Sequence, residues 1–249
     1  MSRLLAAVLL AGAVAWTEDA RRIVEEVQRR SRASSERYEG SLKVVNARGR
    51  VTEKRWRYDR LGSHGSSKAV LRFTAPAEVR GVALLILNHP ERSSDQWMWT
   101  PALQRERRIA LQDRRTRFFG TDFSFEDLEE RDVAQYDYHL EGEEALEGVA
   151  CWRIEARPRQ SKISQYDRSL LWVRKDHYVY WRIENYTRGS PARRVTYADL
   201  ENVQGIWTAR TIEMADLRQN SRTVLRLDKL EYNVPLKDEA FTLQALRVE

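Results

Sequence analysis

The stretch Ala150-Cys151-Trp152-Arg153-Ile154-Glu155-Ala156 alternates, with Ala150, Trp152, Ile154 and Ala156 on one side of an extended chain and Arg153 and Glu155 on the other. Successive side chains of a strand point to opposite faces, so a period of two marks a half-buried strand. The same period recurs in both directions along the chain. Trp56 and Tyr58 share a face, as do Ala69, Leu71 and Phe73, Trp97 and Trp99, Val179, Trp181 and Ile183, and Leu225 and Leu227. In most of these segments the other face carries Arg, Lys, Glu or Asp, so one side of the sheet meets solvent. Val82 to Leu87 is apolar on both faces, which predicts a strand covered on both sides.

The connections are short and turn-like: Asn46-Ala47-Arg48-Gly49, Leu61-Gly62-Ser63-His64-Gly65, Glu147-Gly148, Lys175-Asp176, Arg188-Gly189-Ser190-Pro191 and Asn202 to Gly205. A parallel crossover needs a dozen or more residues, so these favour antiparallel neighbours. The expectation is a mainly β fold with some α, an antiparallel meander of roughly ten to twelve strands in one domain. Ahead of it, Ala20, Ile23, Val24 and Val27 share one helical face, with Glu18 and Asp19 in the first turn and Arg29 and Arg30 near the last. Two stretches interrupt the strands. Ala75 to Gly81 has Pro76 where a helical turn starts and Gly81 where it stops, and Ser124 to Glu130 predicts a short capped helix with Phe125 and Leu128 turned inward. A long sheet with one apolar face twists and curls, and it must close into a barrel or be plugged by helices. These few helices leave apolar surface over, which is where a ligand would sit.

The chain has 249 residues, 43 Lys and Arg against 37 Asp and Glu, 42% hydrophobic residues and eight Trp. That composition excludes whole-chain disorder and collagen-like repeats. Cys151 is the only cysteine, which excludes an intrachain disulfide and a cysteine-based zinc site. Residues 1–15 read as a signal peptide: basic Met1-Ser2-Arg3, apolar Leu4 to Leu10, and Ala13-Val14-Ala15 before Trp16. The remaining 16–249 then form one exported domain, periplasmic and without a membrane span, and export disfavours nucleic acid as a partner.

No catalytic machinery emerges. His64, His89, His139 and His177 are scattered, and no nucleophile-elbow, phosphate-loop or paired-glycine fingerprint is present. His139, Glu141 and Asp137 fall close together on one strand, an arrangement that a solvent-facing polar strand explains equally well. The expectation is a non-enzyme with no cofactor and no metal. Arg105, Arg107, Arg108, Arg114, Arg115 and Arg117 form the densest charge cluster. It suits anionic head groups, an acidic partner protein, or a solvated edge that resists aggregation.

The run Gln96-Trp97-Met98-Trp99-Thr100-Pro101-Ala102-Leu103-Gln104-Arg105-Glu106-Arg107-Arg108-Ile109, followed by Phe119-Gly120-Thr121-Asp122-Phe123-Ser124-Phe125-Glu126-Asp127-Leu128, resembles the outer-membrane lipoprotein-sorting protein-like family of the LolA-like superfamily. Phe73-Thr74-Ala75-Pro76-Ala77-Glu78-Val79-Arg80-Gly81 and Leu236-Lys237-Asp238-Glu239-Ala240-Phe241 are similar to the same family. The resemblance implies a strongly curved antiparallel half-barrel, an open β-barrel whose concave face is plugged by helices over a hydrophobic cavity. It also implies a monomeric, non-catalytic carrier of a lipid or an acylated lipoprotein, working between an inner-membrane transporter and an outer-membrane acceptor. Leu71, Phe73, Leu85, Leu87, Trp97, Trp99, Trp152, Trp181, Phe123 and Leu128 are the expected ligand-binding residues, and the segment from Phe118 to Leu128 is expected to cover an opening. Arg105, Arg107 and Arg108 are the expected head-group or partner contacts. The competing reading is a periplasmic sensor or adaptor that binds a protein, such as an inner-membrane transporter, through a sheet edge and this basic hairpin.

Overall fold

The computed structural model describes residues 20–90, 92–160 and 164–247, so the signal-peptide segment lies outside the described residues. Helix α1 spans 20–30, on the predicted register, with Ala20, Val24 and Val27 buried. Thirteen strands follow: β1 (Ser35–Val45), β2 (Val51–Leu61), β3 (Lys68–Ala75), β4 (Ala83–Leu87), β5 (Asp95–Thr100), β6 (Arg105–Arg108), β7 (Tyr136–Leu146), β8 (Val149–Pro158), β9 (Arg168–Arg174), β10 (Tyr180–Thr187), β11 (Ser190–Val203), β12 (Ile206–Asp216) and β13 (Ser221–Tyr232). They form one antiparallel sheet in the order β6-β5-β4-β3-β2-β1-β13-β12-β11-β10-β9-β8-β7. Two meanders, β1 to β6 and β7 to β13, meet where β1 pairs with β13.

That order corrects the expected half-barrel of ten to twelve strands. The thirteen strands form an open sheet that is neither closed into a barrel nor strongly curled. Closure would need β6 and β7 to exchange hydrogen bonds, and they are instead the two edges. β6 is only Arg105-Glu106-Arg107-Arg108, and β7 alternates buried Tyr136 and Tyr138 with exposed Asp137 and His139. Short, charged edges resist pairing. The apolar face is covered without closure, because the connection from Ile109 to Gln135 returns across it and buries Ile109, Phe118, Phe123, Phe125 and Val133 against the sheet. Phe118 stacks on Phe73 of β3 at 5.3 Å and meets Phe125 edge-on at 5.5 Å.

The cover is also less helical than expected. Ser124 to Glu130 contains only a 3-10 turn, Glu126–Leu128, although the capping pattern is present: the Ser124 amide donates to Asp127 Oδ2 (2.8 Å) and the Asp127 amide to Ser124 Oγ (3.3 Å). Phe125 is buried and Leu128 half-buried, both against the core.

The opposite face is apolar near β3 to β5, as Val82 to Leu87 required. There Ala83 and Leu85 pack with Phe241 and Leu246 of the C-terminal segment, a 3-10 turn (Asp238–Phe241) followed by α2 (Leu243–Leu246). Arg72 secures this segment through the carbonyls of Leu246 (3.1 Å) and Ala245 (3.2 Å). Where β1 bulges at Glu39/Gly40, the backbones of β1 and β13 come so close that a Cβ on Gly40 would lie 1.9 Å from the Arg226 carbonyl oxygen. Only glycine fits there.

Candidate ligand cavity

The core face is filled under β3 and β4 but not under β7 to β13. A cavity of about 840 Å3 lies there, bounded by α1, the connection and the sheet. Its apolar wall comes from Val24 and Val27 of α1, Leu171 and Ile183 of β9 and β10, Val195 of β11, Ile212 and Met214 of β12, and Leu227 of β13. Its aromatic wall comes from Tyr136, Tyr138, Tyr178, Tyr180, Tyr197 and Trp207. Arg29, Arg30 and Gly205 are the exposed lining residues and mark the mouth. There the Arg30 guanidinium sits 4.2 Å from the Tyr178 ring centroid, and His177 stacks on Trp207 at 3.9 Å. The size falls within the range of small-molecule and cofactor sites, which run from about 300 to 1,000 Å3.

The polar end is built from the connection. Glu130 accepts from Arg60 and Ser67 of the β2–β3 region and from the His64 amide (3.1 Å), while Arg60 also donates to Glu36 (2.7 Å). Arg114 donates to Glu129 (2.6 Å), and Arg193 of β11 to Asp127 (2.5 Å), which also accepts from the Tyr166 hydroxyl (2.8 Å). Glu126 accepts from Ser164 Oγ (2.5 Å) and the Gln165 amide (2.9 Å). Burial pushes the Glu126 carboxyl up, and it does the same to Glu129 despite Arg114. Burial pushes the His64 imidazole below its ordinary range, although Glu130 opposes the shift. Arg131 donates to Ser169 Oγ (3.2 Å) and Asn185 Oδ1 (3.0 Å), and its carbonyl accepts from Gln28 of α1 (2.9 Å).

The ten residues expected to bind a ligand fall in four places. Phe123 lines the cavity. Leu71, Phe73, Leu128 and Trp152 lie on the same face, the first two buried in the filled part of the core and Trp152 4.8 Å from the cavity residue Tyr178. Leu85, Leu87, Trp97 and Trp99 lie on the opposite face beneath the C-terminal segment. Trp99 borders a second cleft of about 420 Å3 there, whose lining includes Arg72, Glu106 and Arg247. Trp181 leaves the face of Ile183 because β10 bulges between Tyr180 and Arg182, and it packs under Arg174 at 4.8 Å.

The arginine cluster divides. Arg114 is buried and Arg117 half-buried, and both fasten the cover. Arg105, Arg107 and Arg108 are exposed on edge strand β6, where Arg107 pairs with Asp113 (2.5 Å) and Arg108 with Asp95 (2.6 Å). Asp137 and Glu141 pair with Arg159 (2.9 Å) and Arg153 (3.3 Å), and with exposed His139 they form a solvated strand face. Cys151 is buried and its thiol pushed up by burial, the state of a small strand filler. Among the described residues, no group of three or more His, Cys, Asp or Glu is placed to hold a metal, and no helix is long and apolar enough to cross a membrane.

Sequence reasoning missed Arg131 and the tyrosines at the polar end. The alternation of Tyr136 and Tyr138 with Asp137 and His139 carried a signal for the aromatic wall. Nothing local marked Arg131.

A family model described only as an uncharacterized protein matches residues 65–248. No curated protein matches the sequence. Among solved structures, a Vibrio parahaemolyticus domain provisionally named as an outer membrane lipoprotein-sorting protein domain is similar at 25% identity and a TM-score of 0.88, with 93% of this chain and 99% of that one covered. A DUF1329 family protein from Desulfovibrio piger is similar at 27% identity, with the same TM-score and coverage. A LolA superfamily protein from Nitrosomonas europaea shares the fold at 21% identity and a TM-score of 0.71, with 91% and 98% covered. The match over residues 65–248 and these likenesses together place the chain in that family, within the LolA-like lipoprotein-sorting superfamily.

Proposed function

We propose that the protein is a periplasmic carrier that shelters a lipid, or an acyl chain of a lipoprotein, in the cavity between α1 and the sheet during transfer between the inner and outer membranes. The observation that carries the reading is apolar volume left open beneath the cover, about 840 Å3, in a member of this superfamily. An acyl chain gains about 0.8 kcal/mol for each CH2 withdrawn from water, so even part of a chain gives useful affinity. Release needs a way out. Gln28 donates to the Arg131 carbonyl and Arg30 lies over Tyr178 at the mouth, so movement of this end of α1 would widen the mouth.

The test uses the exported protein purified without detergent, native mass spectrometry, and solvent extraction of whatever is bound. The expected result is a lipid or acylated-peptide adduct in the wild type. Ile212→Trp, which fills the cavity from β12, is expected to lose the adduct while keeping the β-sheet circular dichroism. A clean apo mass that persists after incubation with native membranes would overturn the reading.

A second role is supported by one feature. The β6 edge is open and its Arg105 has no ion pair among the described residues, while the flanking Leu103 and Leu111 are 72% and 64% exposed. This edge is suited to lipid head groups or to a transporter or acceptor. Unchanged liposome and partner binding after Arg105, Arg107 and Arg108 become Ser would remove this role.

A further inference from the structure

The chain pairs its other core arginines with carboxylates: Arg60 with Glu36 (2.7 Å), Arg114 with Glu129 (2.6 Å) and Arg193 with Asp127 (2.5 Å). Arg131, which lines the cavity, has no ion pair among the described residues. Its guanidinium donates to neutral acceptors, Ser169 Oγ and Asn185 Oδ1, and lies 5.9 Å from the ring centroids of both Tyr136 and Tyr166. A guanidinium offers five N–H donors and stays charged, so donors remain for a ligand.

Tyr138, Tyr180 and Tyr197 line the same cavity, and their hydroxyls have no hydrogen-bond partner among the described residues. None of these oxygens is among the sealed, unpaired polar atoms, so they face open volume. The Tyr180 and Tyr197 rings are 6.4 Å apart. Burial holds Tyr180 well above the usual phenol range and pushes Tyr197 up to about 12, so both remain donors at neutral pH. The wall therefore presents a charged donor and three hydroxyl donors, which is a receptor for oxygen acceptors.

Four carboxylates stand nearby, and three have their own arginine: Glu129, Glu130 and Asp127. The fourth, Glu126, turns to Ser164 and the Gln165 amide, and burial favours its neutral form.

We propose that the cavity selects an amphiphile with an oxyanionic head, a carboxylate or a phosphate, and seats that head on Arg131 among the hydroxyls of Tyr138, Tyr180 and Tyr197. The inference rests on the carrier reading and names its ligand class.

Calorimetric titration of the full exported chain with four probes tests it: decanoate, decyl phosphate, decanol and inorganic phosphate. Charge-assisted hydrogen bonds predict that decanoate and decyl phosphate bind the wild type about 10- to 100-fold more tightly than decanol. Inorganic phosphate alone is expected not to compete. If it bound as tightly as decyl phosphate, the site would take a free anion and the amphiphile would be the wrong class. Arg131→Gln should abolish the advantage of decanoate and leave decanol binding within about twofold, while Arg131→Lys should keep part of the advantage. Glu126→Gln should leave the advantage within about twofold, because burial already favours the neutral carboxyl. Should Arg131→Gln fail to fold, Tyr180→Phe with Tyr197→Phe is expected to reduce the advantage several-fold in a folded protein. Equal binding of decanoate and decanol by the wild type, or equal loss of both in the Arg131 variants, would overturn the oxyanion site and leave the carrier reading intact. Failure of every ten-carbon probe to bind would overturn both.

Discussion

Replacing Asp122 with Ala should loosen the cover before it unfolds the sheet. Asp122 is fully buried in the connection, and it is the fastening to β13: Oδ1 accepts from Ser221 Oγ (2.5 Å), Oδ2 accepts from Thr223 Oγ1 (2.7 Å), and its amide donates to Thr223 Oγ1 (2.8 Å). Arg117 lies 3.1 Å from Oδ1 but also pairs with Asp216 at 2.7 Å. Removal of one partner from a buried charged network costs about 3 to 5 kcal/mol. Because Arg117 keeps Asp216, the lower end applies, about 3 kcal/mol, which lowers Tm by about 6 to 12 °C in a chain of this size. Asp122→Asn retains one acceptor and should lose about half as much. Urea unfolding followed by tryptophan fluorescence gives the free energy, and hydrogen exchange locates the opening. The amides of Phe118 and Phe125, which bond to the Phe123 and Thr116 carbonyls within the cover, should exchange faster relative to those of β11 and β12. A loss within about 0.5 kcal/mol of zero, the range of ordinary surface substitutions, would refute the fastening. So would uniform acceleration across cover and sheet.

Two further outcomes follow from local geometry. Gly40→Ala places a methyl group 1.9 Å from the Arg226 carbonyl oxygen, so the β1–β13 junction must shift, and urea unfolding should show a loss of about 2 to 3 kcal/mol; a neutral result would mean that the bulge absorbs the methyl. Asp95 is held well below the usual carboxylate range by hydrogen bonds from Arg92, Arg108 and His89, although burial opposes this. Its folded value is depressed, so its contribution is present above the unfolded value of 3.8 and is lost as pH falls through the folded value. The acid limb of the stability profile should therefore be steeper in the wild type than in Asp95→Asn, and identical limbs would contradict the sign.

The strands were legible because alternation is a local property. The helix 20–30 was legible because Ala20, Val24 and Val27 keep one face. Alternation does not say which face meets which layer, and a single bulge inverts everything beyond it. Trp97 and Trp99 share a face as expected, but that face meets Phe241 and Leu246, which are far away in sequence. Trp181 and Ile183 part company at the β10 bulge, and a second bulge at Leu140/Gly142 ends the inward run of β7. Arg131 could not be singled out from sequence, because its distinction is that, among the described residues, it makes no ion pair while Arg60, Arg114 and Arg193 do, and pairing is settled by tertiary packing. The strongly curved half-barrel expected for the sheet failed for a related reason. The segment that covers the apolar face without strong curvature, 109–135, has no period of either 2 or 3.6 to declare it.

An irregular cover has a physical consequence that a helical plug would not. A helix satisfies most of its own backbone and adheres through one apolar stripe, whereas the 109–135 segment must be positioned by side chains from the sheet. Ion pairs supply this, Arg193 with Asp127, Arg60 with Glu130 and Asp216 with Arg117 joining sheet to cover, while Arg114 with Glu129 and Arg117 with Asp122 hold the cover to itself. Such pairs contribute little net stability compared with apolar packing, because desolvation offsets much of their attraction, but they penalise every arrangement that separates the charges. The aromatic cluster of Phe73, Phe118 and Phe125 supplies the adhesion and the ion pairs supply the register. The cavity lies where this arrangement gives way, beneath α1 and beside Arg131, the core arginine to which the register assigns no carboxylate.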